Sequence, residues 1–489
     1  MQDHPRYPTD IAQATAQWIG GAFRPGEGSM RVLLDPATQN GIARVPDAAA
    51  VQVTQAVEAA AQALGRWARR LPADRARVLT RLAGLLEEKA DHLAALEALN
   101  VGKPLSQARR DVLRAADYFR FYAGACDKLN GETIPLGPDQ TALTLPEPVG
   151  VTAHILPWNY PLSTLARGVA PALAVGATVV AKPSELTPLT TLRMAELAQA
   201  AGLPDGAFNV VTGGAEVGAM LAGHPGIAHV TFTGSTATGQ KVMQAAAAPV
   251  AGVTLELGGK SPVIVLEDAD LDLAARDIAR GIFFNAGQVC AAGSRLIAQD
   301  SVHDDLIARL VTEAKALGMG HPLDDPALGP LVSRAQFKRV AGYVDRARAA
   351  GLTCVLGGEP APLPAPLDKG NFYPPTIFAD VPAEAEIACD EVFGPVLATF
   401  RVPDADAALA LANASPFGLV AGVYSADATT ALRLARGLEA GQVFVNGFLK
   451  AGDTVPFGGV KTSGIGREKG LAGLATYTAP KSIILNHPG

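Results

Sequence analysis

Apolar residues recur at intervals of three and four, with charges between them, through Val51 to Arg70, Asp74 to Leu99 and Leu105 to Ala125. That spacing follows the turn of an α-helix and predicts three amphipathic helices, punctuated by Pro72, Gly102 and Pro104. The rhythm then breaks. Gly131 to Pro148 is rich in Gly, Pro and Thr without helical period, which predicts a hairpin excursion. Beyond it, Val149 to Ile155, Ala177 to Ala181, Phe208 to Val211, Val230 to Thr233 and Val253 to Leu257 read as strands alternating with helical stretches. Their spacing of roughly 20 to 30 residues fits βαβ units in a parallel sheet, and a dinucleotide-binding domain is the natural reading.

A second α/β series follows, with a strand at Val263 to Leu266 and helical patterns at Leu271 to Phe284, His303 to Leu317, Phe337 to Ala350 and Asp404 to Ala412. The prolines from Pro360 to Pro366 mark a surface loop. Thr476 to Asn486 carries the apolar triplet Ile483-Ile484-Leu485, a strand with no evident mate nearby. Exposed alone it would be an aggregation edge, so a homo-oligomer is expected.

Composition narrows the class. At 489 residues the chain exceeds the roughly 250–300 at which single cores stop growing, so at least two domains are expected. With 18% charged and 48% hydrophobic residues, and no apolar run near the roughly 20 that span a membrane, a soluble protein is expected. Met1 to Thr9 lacks the apolar core of a leader, which favours the cytoplasm. Cys126, Cys290, Cys354 and Cys389 stand far apart, as suits a reducing compartment and neither a disulfide frame nor a zinc site. A net charge of −6 with intermixed signs gives no basic stripe for nucleic acid. The eight histidines are scattered, and the nearest pair, His224 and His229, has no carboxylate or thiol cluster beside it; no metal site is expected.

Three residues suggest chemistry. Cys290 lies in Asn285-Ala286-Gly287-Gln288-Val289-Cys290-Ala291-Ala292-Gly293, where small neighbours leave a thiol reachable. A free cysteine is more often a core residue, but an accessible thiolate attacks carbonyl carbon well. Such an adduct needs an oxyanion donor and a base. Asn159, in Pro157-Trp158-Asn159-Tyr160-Pro161, offers an amide on a proline-stiffened platform, though Asn before Tyr-Pro is also ordinary turn chemistry. Glu256 ends the alternating run Val253 to Leu257 on its polar side, with two glycines directly after it. Gly258-Gly259-Lys260-Ser261 suggests a P-loop, but the glycine that motif needs would fall at Thr254, so ATP binding is rejected.

In order and spacing these segments resemble those of the NAD(P)-dependent aldehyde dehydrogenase superfamily, near its betaine or aminoaldehyde and semialdehyde branches. Ala181-Lys182-Pro183-Ser184-Glu185, Phe232-Thr233-Gly234-Ser235, Glu391-Val392-Phe393-Gly394-Pro395 and Pro456-Phe457-Gly458-Gly459-Val460-Lys461 extend the resemblance from about Trp18 nearly to the C-terminus. It implies Cys290 as nucleophile, Asn159 with the Cys290 N–H as oxyanion donors, and Glu256 as the hydrolytic base. Relatives that pass the acyl group to coenzyme A typically lack that carboxylate, so water is the favoured acceptor. A coenzyme A-acylating enzyme and a non-catalytic descendant of the fold are the alternatives.

The resemblance also implies a cofactor site of Ile155, Leu156, Pro157, Trp158, Lys182, Ser184, Glu185, Gly214, Phe232, Thr233, Gly234, Ser235, Leu257, Glu391 and Phe393. Phe232 to Gly239 reads as strand, tight turn and helix start, which presents N–H groups to a pyrophosphate. Glu185 suits free ribose hydroxyls, favouring NAD with NADP as the alternative. Arg167, Phe284, Phe457 and Arg114 are the substrate candidates. Arg167 matches relatives that oxidise carboxylate-bearing semialdehydes, but Phe284 stands where those relatives place a second arginine. Arg110 and Arg114 share a helix face that adds positive potential or is simply solvated, while Asp453 near the tunnel mouth would favour an amine. An acidic or polar-tailed aldehyde is the reading. The implied architecture is α/β, with a Rossmann-like NAD-binding domain (1–128 and 149–257), a second α/β catalytic domain (258–447) and a small β oligomerisation element (129–148 and 470–489). Dimer and tetramer are both open.

Overall fold

Short strands, most of them buried on both faces in the interior, assemble two large sheets in a computed structural model describing residues 4–8, 11 and 17–487. Met1–Thr9, read above for a leader, falls only partly within the described residues. Val151–Ile155, Thr178–Lys182, Phe208–Val210 and His229–Thr233 are buried at every position, as parallel strands covered by helices on both faces must be. With Gly252–Glu256 they pair in parallel, in the spatial order Gly252–Glu256, His229–Thr233, Val151–Ile155, Thr178–Lys182, Phe208–Val210. Gln17–Ile19, Ala22–Arg24 and Gly464–Ile465 extend this sheet as antiparallel edges.

Chain direction across the sheet reverses between Val151–Ile155 and His229–Thr233. Crevices beyond the carboxyl ends of strands at such a switch point are where doubly wound sheets bind ligands.

The second sheet runs Thr353–Leu356, Thr376–Ala379, Val396–Val402, Arg295–Gln299, Pro262–Val265, Val420–Tyr424, Gln442–Val445, all parallel except the first. Of these only Pro262–Val265 stands out in the sequence. Arg295–Gln299 and Val420–Tyr424 are short runs buried on both faces, which periodicity does not separate from buried helix.

Helices Ala50–Ala68 and Leu105–Ala123 form where the periodicity predicts them. Asp74 to Leu99 is not one helix. It breaks at Lys89 (φ −97°, ψ 13°) into Pro72–Glu88 and Ala90–Val101, and the second piece is buried almost all round, so its period carries little information. Gly102, at φ 93°, ends that helix in the left-handed conformation and turns the chain toward Lys103.

Lys103 is fully buried, paired with Asp111 and with Glu97 at 3.4 Å, and its ammonium lies 4.1 Å from the centre of the Tyr160 ring. Thr190 donates to Glu97 at 3.2 Å. Burial, which Lys103 only partly offsets, pushes the Glu97 carboxyl up to about 7. This network packs behind the residue that follows Asn159.

The hairpin Thr133–Gly137 and Gln140–Pro148 forms as expected, and the apolar C-terminal strand finds its mate there. Thr478–Asn486 pairs antiparallel with Gln140–Pro148 from Thr478↔Pro148 to Asn486↔Gln140. Ile134, Leu136, Leu145, Ile484 and Leu485 on this small sheet stay exposed.

Replacing Lys103 with Met leaves two carboxylates buried without their cation, so urea denaturation of Lys103→Met is expected to show a loss of about 3–5 kcal/mol. An unchanged midpoint and slope would remove the network from the account of stability.

Candidate active site

Cys290 stands at the end of an unusual backbone turn. Helix Leu271–Phe283 ends at Phe284, and the next residues Asn285 (φ 51°), Ala286 (φ 52°) and Gly287 (φ 72°) are all left-handed. For non-glycine residues such a conformation is costly and persists only where surroundings hold it. Here they do. Gln107 accepts from Asn285 N–H at 3.1 Å, and Gln288 donates to Asn285 O at 3.0 Å and accepts from Val332 N–H at 2.9 Å. A Cβ on Gly287 would lie 2.0 Å from Gly394 O, so only glycine fits.

Val289 to Ala292 then make a turn, with Ala292 N–H donating to Val289 O at 3.0 Å, and the half-buried Cys290 thiol faces the cleft. Desolvation pushes that thiol up to about 11, with Arg167 pulling the other way. Its own N–H meets no acceptor among the described residues.

Asn159 follows strand Val151–Ile155 across the switch point. One amide N–H of Asn159 is fixed by Gln288 O at 2.8 Å, two residues before Cys290, and the Asn159 side chain is buried. The second N–H of the amide is therefore held in a set orientation.

Glu256 ends strand Gly252–Glu256, and neither of its buried oxygens finds a hydrogen-bond donor among the described residues. Burial and the nearby Glu468 raise its carboxyl well above the usual range, while Arg167 opposes the shift. Asn159, Glu256 and Cys290 line one cavity of about 970 Å³, large enough for a dinucleotide and a small substrate.

The predicted cofactor residues gather at the switch point. Ile155 to Trp158 follow one central strand and Phe232 to Ser235 end its neighbour. Ser235 caps helix Thr236–Ala247 by accepting from Thr238 N–H at 3.3 Å, so the first turn turns its N–H groups toward the cavity. Lys182 and Glu185 stand 3.8 Å apart on the same wall, and Ser184 donates to Glu185. Leu257 lines the cavity too. Gly214 precedes helix Ala215–Ala222 and is not itself part of the lining.

From the second sheet, Glu391 accepts from Gly259 N–H at 3.0 Å, and burial pushes its carboxyl up to about 7. Phe393 meets Trp158 edge-on at 5.2 Å. An acid beside a lysine, a capped helix start and an aromatic wall suit a ribose, a pyrophosphate and a flat ring, so the residues present fit a nicotinamide dinucleotide.

The substrate candidates divide. Phe284, Phe457, Arg114 and Arg167 all line the cavity. Arg167, on helix Pro161–Val175, keeps only 11% of its side chain exposed and is ion-paired with Glu468, and its guanidinium lies 5.3 Å from the Phe457 ring. Arg114 instead faces Asp453 at 3.6 Å.

Sequence reasoning missed Glu468 and Lys469. In Gly466-Arg467-Glu468-Lys469-Gly470 they read as a solvated charged loop, yet Glu468 is buried and burial lowers the Lys469 ammonium to about 8. No periodicity or motif in those five residues signals this. Gln336 and Arg339 were missed as well; from helix Arg334–Ala349 they donate to Phe393 O and Glu391 O, each at 2.7 Å, and so hold the Glu391 loop.

The chain is similar to known proteins along nearly its whole length. The model of the aldehyde dehydrogenase family matches residues 23–483. The chain is 44% identical to a betaine aldehyde dehydrogenase of Cereibacter sphaeroides over 92% of both chains. It is 41% identical to a hydroxyisobutyraldehyde dehydrogenase of Mycolicibacterium austroafricanum, covering 98% of this chain and 95% of that one. The crystal structure of an NAD-dependent aldehyde dehydrogenase from Sinorhizobium meliloti superposes with a TM-score of 0.96 at 40% identity, covering 100% of this chain and 98% of the other.

A thiol raised to about 11 is mostly protonated near neutrality, and its thiolate fraction climbs with pH. Alkylation of Cys290 by iodoacetamide in the free protein, followed by peptide mass spectrometry, is expected to accelerate about tenfold per pH unit from 7 to 9. A rate already level by pH 8 would contradict the desolvated thiol.

Proposed function

The chain belongs to the aldehyde dehydrogenase family, and from that premise we propose that Cys290, Asn159 and Glu256 oxidise an aldehyde to its carboxylic acid with NAD. The carrying observation is that a reachable thiol, a fixed amide and an unpartnered buried carboxylate open onto one cavity beside a dinucleotide-shaped switch point.

Cys290 first loses its proton to solvent in the open cavity; the thiolate adds to the carbonyl carbon, and the C=O electron pair becomes an oxyanion held by the free Asn159 N–H and the Cys290 N–H. Lys182, Glu185, the Ser235 helix start and Glu391 would hold NAD, which when bound would supply the acceptor for the hydride that leaves the former aldehyde carbon. The acyl group stays on Cys290 as a thioester. Glu256 then takes a proton from water, the hydroxyl adds to the acyl carbon, and collapse expels the Cys290 thiolate and the carboxylic acid. The presence of Glu256 favours water over coenzyme A as acceptor.

The relatives' names carry different aldehydes, so tail preference is argued from this chain. Cationic side chains outnumber carboxylates along the substrate side, which supports an acidic or polar-tailed aldehyde. Arg167 is committed to Glu468, and its part is to brace the tunnel floor beside Phe457.

The first sheet is read as the NAD-binding domain, the second as the catalytic domain, and the three-stranded sheet as the oligomerisation element. The exposed Ile134, Leu145 and Ile484 on that last sheet support a homo-oligomer, a dimer or tetramer. No helix among the described residues is long and apolar enough to cross a membrane. A nucleophilic thiol works best in a reducing compartment, which supports a cytoplasmic setting.

Glu256→Gln is expected to release about one NADH per subunit in a stopped-flow burst and then turn over at least 100-fold more slowly than wild type, within the usual worth of a general base. Normal steady turnover would remove Glu256 as the base. Glu185→Gln is expected to raise kcat/KM with NADP relative to NAD, because it takes a negative charge from the ribose wall; an unchanged ratio would sink that assignment.

A further inference from the structure

On the substrate side of Cys290 the cavity holds more positive charge than its surroundings neutralise, in a protein of net charge −6. Most charges there are matched. Asp111 is held by Lys103, Arg167 by Glu468, and Lys450 by Asp277 at 2.8 Å. Arg114 and Lys469 share one carboxylate, Asp453, at 3.6 and 4.0 Å. Arg110 and Arg280 meet no carboxylate among the described residues.

A solvated basic surface is the ordinary explanation, and the helix carrying Arg110 tests it. On Leu105–Ala123 the outward arginines are paired, Arg109 with Asp91 and Arg120 with Glu87, each at 2.7 Å. The under-matched pair, Arg110 and Arg114, is the one that lines the cavity. These two are four residues apart on one face, where like charges weaken a helix. Arg280 has a local reason to be basic, since it sits in the last turn of its helix, where a cation complements the dipole. Arg110, in the second turn of its own helix, has none.

Arg110 is also placed. Its guanidinium lies over the Phe284 ring at 5.6 Å, so it is braced against the wall directly before the nucleophile turn. Arg110 is exposed whereas Arg167 is mostly covered, which puts Arg110 nearer the open end of the cavity.

We propose that Arg110, braced on Phe284 and seconded by Arg114, receives the carboxylate of the substrate tail at the tunnel mouth, so that the substrate is an ω-carboxy aldehyde anchored there and not at Arg167. This rests on the reading of Cys290 as an aldehyde-oxidising nucleophile. The planar fork of Arg110 suits a carboxylate, and the cation costs nothing to desolvate because it remains at the rim.

The test is steady-state NADH production from ω-carboxy aldehydes and unsubstituted alkanals of matched length, with a thermal melt of each variant. Wild type is expected to favour the carboxy aldehyde at least tenfold in kcat/KM at low ionic strength, an advantage that shrinks with added salt. Arg110→Gln is expected to raise KM for the carboxy aldehyde about tenfold with kcat nearly kept, to leave the alkanal unchanged, and to melt like wild type. Arg167→Met is expected to depress both substrates alike. Oxidation of alkanals with no carboxylate advantage overturns the anchor alone, as does an Arg110→Gln variant that loses both substrates equally. A carboxylate preference that survives Arg110→Gln and vanishes in Arg167→Met overturns it too. Absence of NADH from every aldehyde overturns the reading of Cys290 and the anchor with it.

Discussion

Two glycines hold the cleft together. Gly258 and Gly259 carry the chain from the end of one sheet to the start of the other, between Gly252–Glu256 and Pro262–Val265. A Cβ on Gly258 would lie 2.4 Å from Glu391 Oε2, and one on Gly259 would lie 2.7 Å from Cys290 O. A side chain at Gly258 would displace the Glu391 carboxylate, and one at Gly259 would press on the backbone of the Cys290 turn. Gly259 N–H also ties Glu391 in place. On the far side of the thiol, Gly287 packs against Gly394 in the same manner, so the nucleophile is clamped between two backbone contacts that no other residue allows.

That clamp lets the two sheets meet the cleft from opposite ends. The first sheet offers the loops that follow its strands, at Ile155 to Asn159 and Phe232 to Ser235. The second offers loops that precede its strands, with Cys290 before Arg295–Gln299 and Glu391 before Val396–Val402. Chemistry therefore sits at the seam, where water is scarce and charges are expensive. Glu256 and Glu468 are both raised by burial; Arg167 opposes this for both of them and for Cys290, with Lys469 helping at the two carboxylates and Arg467 at Glu256. The Arg167 guanidinium thus bears on Cys290 and on both carboxylates. At rest the balance leaves Cys290 mostly a thiol, which guards it against oxidation.

Much of this was legible in the sequence, for physical reasons. Strands of the first sheet are apolar runs bounded by turn residues, and the chemistry-bearing residues sit in short segments whose small neighbours betray close packing, as at Gly258-Gly259 and Asn285 to Gly293. What escaped has equally physical reasons. The inner strands of the second sheet, such as Arg295–Gln299 and Val420–Tyr424, are buried on both faces and so lack alternation. The helix break at Lys89 has no glycine or proline to mark it. Glu468 becomes a buried carboxylate only because strand Gly464–Ile465 returns across the chain to pair with Gly252–Glu256. Arg167 reads as a substrate anchor until that return places Glu468 against it. Charge that is matched across hundreds of residues is invisible to local pattern.

The central claim is covalent: an acyl group rests on Cys290 between oxidation and hydrolysis. The most direct measurement is acid quench of the protein during turnover with aldehyde and NAD, followed by peptide mass spectrometry of all four cysteines. The expected result is the mass of the acyl group on the peptide containing Cys290 and on no other cysteine. NADH release with Cys290 unmodified at every quench time, or the adduct on Cys126, Cys354 or Cys389, would contradict it.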